Sequence, residues 1–252
     1  MEYYDLIIAG LAALAAGIVN AIAGGGTLIT FPVLIALGLP SVAANVTNTV
    51  ALCPGYFGGT WAQRRDLIGQ GVRIRLLVPV AILGGIAGGL LLILSGEKVF
   101  GSLVPYLILF ASLLLAAQDW LKKRLFRSPG SQHSDGLQKL ILFAMIPAAL
   151  YGGYFGAGLG VVTIAALGLF IQDSIIRLNA LKQLLSLCIN VSAALYFLFS
   201  GQVYWLVALV MAVCALLGGT IGGKLAGKFK PQILRWVIVT IGVAVAIIYF
   251  IK

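Results

Sequence analysis

The sequence predicts an all-α chain: a polytopic integral membrane protein of eight long transmembrane helices plus two short or broken segments, arranged as two inverted-topology repeats. Three observations predict it. Hydrophobic residues fill 61% of the 252 positions and charged residues only 10%, against about 25% charged in a soluble domain. So little polar material cannot cover a water-facing surface, and the mean hydropathy of +1.09 agrees. Eight apolar stretches reach the roughly 20 residues that a spanning helix needs. Basic residues gather in three clusters, and the number of crossings between clusters fixes the topology.

The eight stretches are 4–23, 42–62, 74–95, 99–119, 139–158, 177–199, 203–223 and 232–251. The first begins MEYYDLIIAG, without the basic start of a cleaved signal peptide, and is read as a mature membrane segment. Two shorter stretches, 27–39 and 161–172, cover only ~18–20 Å as helices. The polar run 120–138, WLKKRLFRSPGSQHSDGLQ, carries Pro129, Gly130 and several serines, the composition of a linker. It separates a first transmembrane repeat, 1–119, from a second, 139–252, within one integrated membrane domain. Each half runs long, short, long, long, long. GGGTLITFPVLIALGLP is followed by Asn45 in the first half, and GAGLGVVTIAALGLF by Asn179 in the second. Matching Leu37-Gly38-Leu39 to Leu167-Gly168-Leu169 pairs Gly26 with Gly156.

The basic clusters are Arg64/Arg65/Arg73/Arg75, Lys122/Lys123/Arg124/Arg127/Lys139 and Lys224/Lys228/Lys230/Arg235. Two long helices separate the first two clusters, so these share a side. Three long helices and one short segment separate the second and third. All three share one face only if the short segment also crosses, which the positive-inside rule favours. Loops 63–75, 120–138 and 224–231 are then cytoplasmic and the N-terminus external. Five crossings per half is odd, so the second half enters inverted, a common architecture of secondary transporters. The net charge of +10 is explained by these flanks, and no nucleic-acid partner is implied. The expected partners are the lipid bilayer and a small anionic substrate, and a homo-oligomer stays open. The expected location is a bacterial or archaeal plasma membrane.

The breaks in the pattern carry the chemistry. Asn20, Gly24, Gly25, Gly26 and Thr27 interrupt the first half, and Gly152, Gly153, Gly156, Gly158 and Gly160 the second. Glycine runs disfavour helix, and backbone freed at membrane depth must be satisfied by protein or a wet cavity. The helix restarting after each break offers N–H groups that favour an anion. Paired breaks thus point to a site between the halves, against the alternative of close helix packing. Packing alone explains Gly84, Gly85, Gly88 and Gly89, and Gly218, Gly219, Gly222 and Gly223. Asn45, Asn48 and Thr49 share one helix face, as do Asn179, Lys182 and Gln183, continued by Ser186 and Asn190. These groups line a substrate path or bond between helices. Lys182 is ionisable inside an apolar helix, with no acidic residue on its own face. It either faces a cavity and attracts an anion or snorkels to the interface near Arg177.

Other chemistry lacks its residues. Cys53, Cys188 and Cys214 stand in apolar stretches and the one histidine, His133, in the linker, so neither a metal site nor a cofactor is expected. No GxxxxGK[ST], HExxH or GxSxG occurs, and no carboxylate pair falls within a membrane stretch.

GIVNAIAGGGTLITFPVLIALGLP with AANVTNTVAL, and RLNALKQLLSLCINVSAAL in the second half, resemble the sulfite exporter TauE/SafE family of membrane permeases, over essentially the whole chain. The resemblance implies a transporter of sulfur-containing or other small organic anions, such as sulfite, sulfoacetate, sulfonates or carboxylates. A passive anion channel is the nearer alternative. A membrane-embedded enzyme acting on lipid or prenyl phosphates is the farther one, since it needs acidic or histidine clusters that are missing.

Overall fold

A computed structural model describes residues 3–125, 135–226 and 232–251. Among these, every regular element is helical. The order is α1 (Tyr3–Ile22), α2 (Thr27–Ala36), α3 (Ser41–Ala62), a 3₁₀ turn (Arg64–Leu67), α4 (Gly71–Leu125), α5 (Asp135–Tyr154), α6 (Leu159–Phe170), α7 (Ile175–Phe197), α8 (Trp205–Leu225) and α9 (Gln232–Ile251). The centre of the expected linker, 126–134, and the loop 227–231 lie outside the described residues.

Helix α4 is two helices joined at Gly96, whose φ of 68° and ψ of 176° are open to glycine alone. The residue after the joint explains what the bend achieves. Glu97 turns its carboxylate onto the start of α3, accepting from the N–H groups of Ser41 at 2.5 Å and Val42 at 2.8 Å. A carboxylate on unpaired N-terminal N–H groups is favoured by charge and by hydrogen bonding together. The first arm, 71–95, matches the expected stretch 74–95; the second, 97–125, contains 99–119 but continues as helix through 120–125, and α5 starts at Asp135, so both ends of the segment expected as a polar linker are helical.

All ten apolar stretches fall on helix. By length and composition, four helices of the described residues can cross a membrane: Tyr3–Ile22, Gly71–Gln118, Ile175–Phe197 and Trp205–Leu225. Leu140–Tyr154, Arg235–Phe250 and the short α2 and α6 are shorter apolar pieces.

Glycine pairs set the packing. Helix α8 wedges between α1 and α3, and the first arm of α4 between α5 and α7. Gly218 lies on the Leu14 carbonyl of α1, and Gly219 on the Gly55 carbonyl of α3. A Cβ at Gly219 would come within 1.9 Å of that oxygen. Gly88 meets Leu150 of α5, and Gly85 meets Ile189 of α7. Without side chains here the backbones approach and gain dispersion contacts, the force that joins helices in lipid. Phe31 of α2, Phe100 of α4 and Phe155 beyond α5 form an aromatic triangle, with centroids 5.3–6.3 Å apart. It packs the short helix α2 against both halves.

Candidate functional site

Both expected breaks exist, and both close the same way. At the end of α1, Ala23 and Gly24 both donate their N–H to the Val19 carbonyl, at 2.7 and 2.9 Å. At the end of α5, Phe155 and Gly156 both donate to Tyr151, at 2.9 and 3.1 Å. Gly24 and Gly156 take left-handed φ of 81° and 74°, the usual glycine helix stop. Equivalence in the backbone therefore matches Gly24 to Gly156, two residues from the Gly26 pairing expected from sequence. The helix stop, rather than the shared Leu-Gly-Leu letters, defines the break. The extra length sits in the following helix, 10 residues in α2 and 12 in α6. Gly152 and Gly153, expected in the break, are inside α5; Gly153 packs on Gly85 of α4.

The two breaks touch. A Cβ on Gly24 would fall 2.5 Å from the Cα of Gly160. Lys182 seals the contact. It is 1% exposed, its methylenes run past Gly160, and its ammonium donates to the Asn20 carbonyl at 3.1 Å. Buried there, it does not snorkel. The carbonyl end of α1 carries negative partial charge, so one side chain from the second half holds the end of a helix from the first.

Other freed backbone groups are satisfied similarly. Asn179 Nδ2 donates to the Ala21 carbonyl at 3.1 Å and to Gln63 Oε1 at 2.7 Å. Gln118 donates to the Ala23 carbonyl at 3.3 Å, and Asn20 Oδ1 accepts from Gly26 N–H at 2.7 Å. That N–H is one of the α2 donors that sequence reasoning assigned to an anion. At the second break, Asn45 Nδ2 donates to the Tyr154 carbonyl at 2.9 Å, and the Tyr151 hydroxyl to Ala157 at 2.6 Å. The arm 97–125 passes beside both breaks: Leu115 contacts Gly25 and Ala111 contacts Gly158. Thr27 opens α2 and is buried, while Thr49 bonds back to the Asn45 carbonyl within α3.

The residues expected to share a site fall into two groups. Gln63 meets Asn179 and Gly59 meets Gln183, so α3 and α7 run antiparallel. Asn20, Gly24, Gly26, Asn179 and Lys182 surround the first break. Asn45, with Asn48 and Thr49 on the next turn, serves the second. Several enclosed polar atoms have no hydrogen-bond partner within the protein: Asn45 Oδ1, Asn48 Oδ1, Gln118 Oε1, both amide atoms of Gln183, Ser186 Oγ and Thr163 Oγ1. Gln63, Gln118 and Tyr151 were not foreseen from sequence. Each sits near a helix end, where a polar residue reads as interfacial.

Beyond the first group, Asp173 joins Arg73 at 2.5 Å and Arg177 at 3.1 Å. Gln70 donates to the Arg177 carbonyl and Arg177 to that of Ile68, both at 3.0 Å. The loop after α3 is thereby tied to the start of α7. Partial burial pushes the Asp173 carboxyl up, but donation from Arg73, the Ser174 N–H and Arg177 outweighs it and holds the group below the usual range. Among the described residues, no three His, Cys, Asp or Glu side chains come together as metal ligands.

Known proteins resemble the chain over nearly its whole length. The family model described as Sulfite exporter TauE/SafE matches residues 9–249. A Sinorhizobium sp protein named Probable membrane transporter protein ORF9 is 28% identical, over 98% of this chain and 93% of its own length. Probable membrane transporter protein YfcA of Escherichia coli strain K12 is 27% identical, over 91% of this chain and 83% of its own. A Haemophilus influenzae protein named Probable membrane transporter protein is also 27% identical, over 89% of this chain and 86% of its own. The apolar helical body, the touching breaks and a match of this extent lead to one conclusion: the chain belongs to the sulfite exporter TauE/SafE family and is a multi-pass membrane transporter, not an enzyme.

Proposed function

We propose that the protein is a secondary transporter of small anions, sulfur-containing ones such as sulfite, sulfoacetate and sulfonates or related carboxylates, across a bacterial or archaeal plasma membrane. The observation that carries the reading is the seam at Gly24 and Gly160. There two interrupted helices meet around the buried ammonium of Lys182. A cation in a partly desolvated site pairs far more strongly with an anion than it would in water. An anion entering the seam would compete with the Asn20 carbonyl for that ammonium, and with Asn20 Oδ1 for the Gly26 N–H at the start of α2.

Eight crossings with two broken segments, in two inverted repeats, is the architecture that goes with this function. The packing supports it by a pairwise exchange. Helix α8 packs on α1 and α3, as the first arm of α4 packs on α5 and α7; α2 packs on α1 as α6 does on α5. α3 meets α7, and α4 meets α9. Exchanging the halves returns each of these contacts, whereas α3 also meets α4 without an equal contact in the second half. Burial favours a transporter over a passive channel, because Asn20, Asn45, Asn48, Lys182 and Gln183 are all enclosed. Substrate reaches such residues only through movement.

The test is flux into proteoliposomes with a panel of sulfite, sulfate, sulfoacetate, other sulfonates and carboxylates, with and without a pH gradient. Saturable uptake, accelerated by substrate on the opposite side, is expected for at least one sulfur anion. Non-saturating flux without counter-transport would make the protein a channel.

A further inference from the structure

We propose that the second break holds a sodium ion, bound by the amide oxygens of Asn45 and Asn48, as the mobile counterpart of the fixed ammonium of Lys182 at the first. The inference rests on the two-fold reading above. Asn45 and Asn179 do the same work in opposite halves. Each donates its Nδ2 to a carbonyl in the last turn of the other half's interrupted helix, Tyr154 of α5 and Ala21 of α1. That shared bond fixes which positions correspond. Three residues further along the same helix face stand Asn48 and Lys182. In the second half this position carries a positive charge that reaches the carbonyl end of α1. In the first half it carries a neutral amide, 1% exposed, whose Oδ1 has no hydrogen-bond partner within the protein.

The Asn45 amide oxygen is fixed as an acceptor. Asn45 cannot be turned over without setting its oxygen against the Tyr154 carbonyl, so its Nδ2 stays on that carbonyl and its Oδ1 stays available. That oxygen is also fully buried without a partner. Two enclosed acceptors one turn apart on α3, the first of them on an amide bonded to the carbonyl end of α5, form a place where positive charge is favoured. Amides do not titrate in the physiological range, so a proton does not fill it. Divalent ions prefer carboxylates, and the described residues bring no three acidic, His or Cys side chains together. A small monovalent ion, exchanging its hydration shell for amide and backbone carbonyl oxygens, fits the chemistry. Bound together with an anion, it would offset the charge that the substrate carries into the low-dielectric seam.

The experiment uses the purified full chain in sodium, potassium and choline chloride at equal ionic strength. Thermal stability without any organic anion is the first readout. Sodium alone should raise the melting midpoint by a few degrees, and anion flux in proteoliposomes should be several-fold faster with sodium than with choline. Asn48→Lys supplies a tethered ammonium, so its midpoint should be the same in all three salts and should match or exceed the wild type in choline. If the wild-type midpoint and flux are equal in all three salts, the sodium site is wrong while the anion transporter stands. A sodium-specific midpoint shift with no flux of any anion on the panel would keep the site and overturn the anion-transport reading. An Asn48→Lys variant that folds and still responds to sodium would refute these ligands.

Discussion

Gly24 and Gly25 are neighbours with unlike duties. Gly24 sits at φ 81° with its face on Gly160, whereas a Cβ at Gly25 would meet only the flexible end of Leu115 at 3.1 Å. Left-handed backbone costs a side-chain-bearing residue about 1–2 kcal/mol, and overpacking adds about 1–3 kcal/mol. Gly24→Ala should therefore lower the melting midpoint in detergent far more than Gly25→Ala, and equal effects would show that the seam has slack. Lys182→Gln keeps a donor for the Asn20 carbonyl but removes the charge. Apparent KM for the anion should rise about tenfold, equivalent to ~1.4 kcal/mol, with little change in the midpoint. An unchanged KM would leave Lys182 a purely structural clamp on α1. This residue was legible in the sequence because charge inside an apolar helix is costly. Its contact with Asn20, 162 positions away, was not, since nothing local encodes it.

The bodies of the helices were legible, with their ends off by up to six residues, because lipid demands long apolar runs and glycine marks where many of them stop. The extent of the breaks was less so. Gly152 and Gly153 look like helix breakers, yet they remain in α5 because α4 and α7 pack against the space they leave. Glycine for approach and glycine for bending are the same letter. The tie between the loop after α3 and the start of α7 was also hidden, because Arg73, Asp173 and Arg177 read as ordinary helix flanks. Its pH dependence follows from the lowered Asp173 carboxyl. A depressed value means that the stabilisation is complete above the usual carboxylate range, about 3.9, and drains away as pH falls through the lower folded value. Asp173→Asn should lower the midpoint at pH 7 by about 1–4 °C. Relative to wild type, the deficit should shrink below about pH 4. A deficit that persists in acid would assign the effect to lost packing.

At the scale of the whole molecule, the two halves predict a topology. With the three native cysteines replaced, Gly69→Cys and Ala226→Cys should resist an impermeant thiol reagent in intact cells, and Lys98→Cys should react. Labelling of Ala226→Cys from outside would break the inverted arrangement. The order of segments made the two similar halves legible; the contact of the breaks emerges only when the halves close on each other. Helix α7 has a further consequence, for how the chain is made. Of the four helices among the described residues that are long and apolar enough to cross, it is the least apolar, and it carries Lys182, Gln183, Ser186 and Asn190. A lysine at mid-membrane raises the insertion cost of a helix by roughly 2.5–3.5 kcal/mol, and this one is relieved by a carbonyl at the end of α1, synthesised long before. The translocon would thus release α7 into lipid only against a first half already in place. Made alone as residues 139–252, α7 should fail to integrate, as glycosylation-site mapping would reveal, and co-synthesis of residues 1–138 should rescue it.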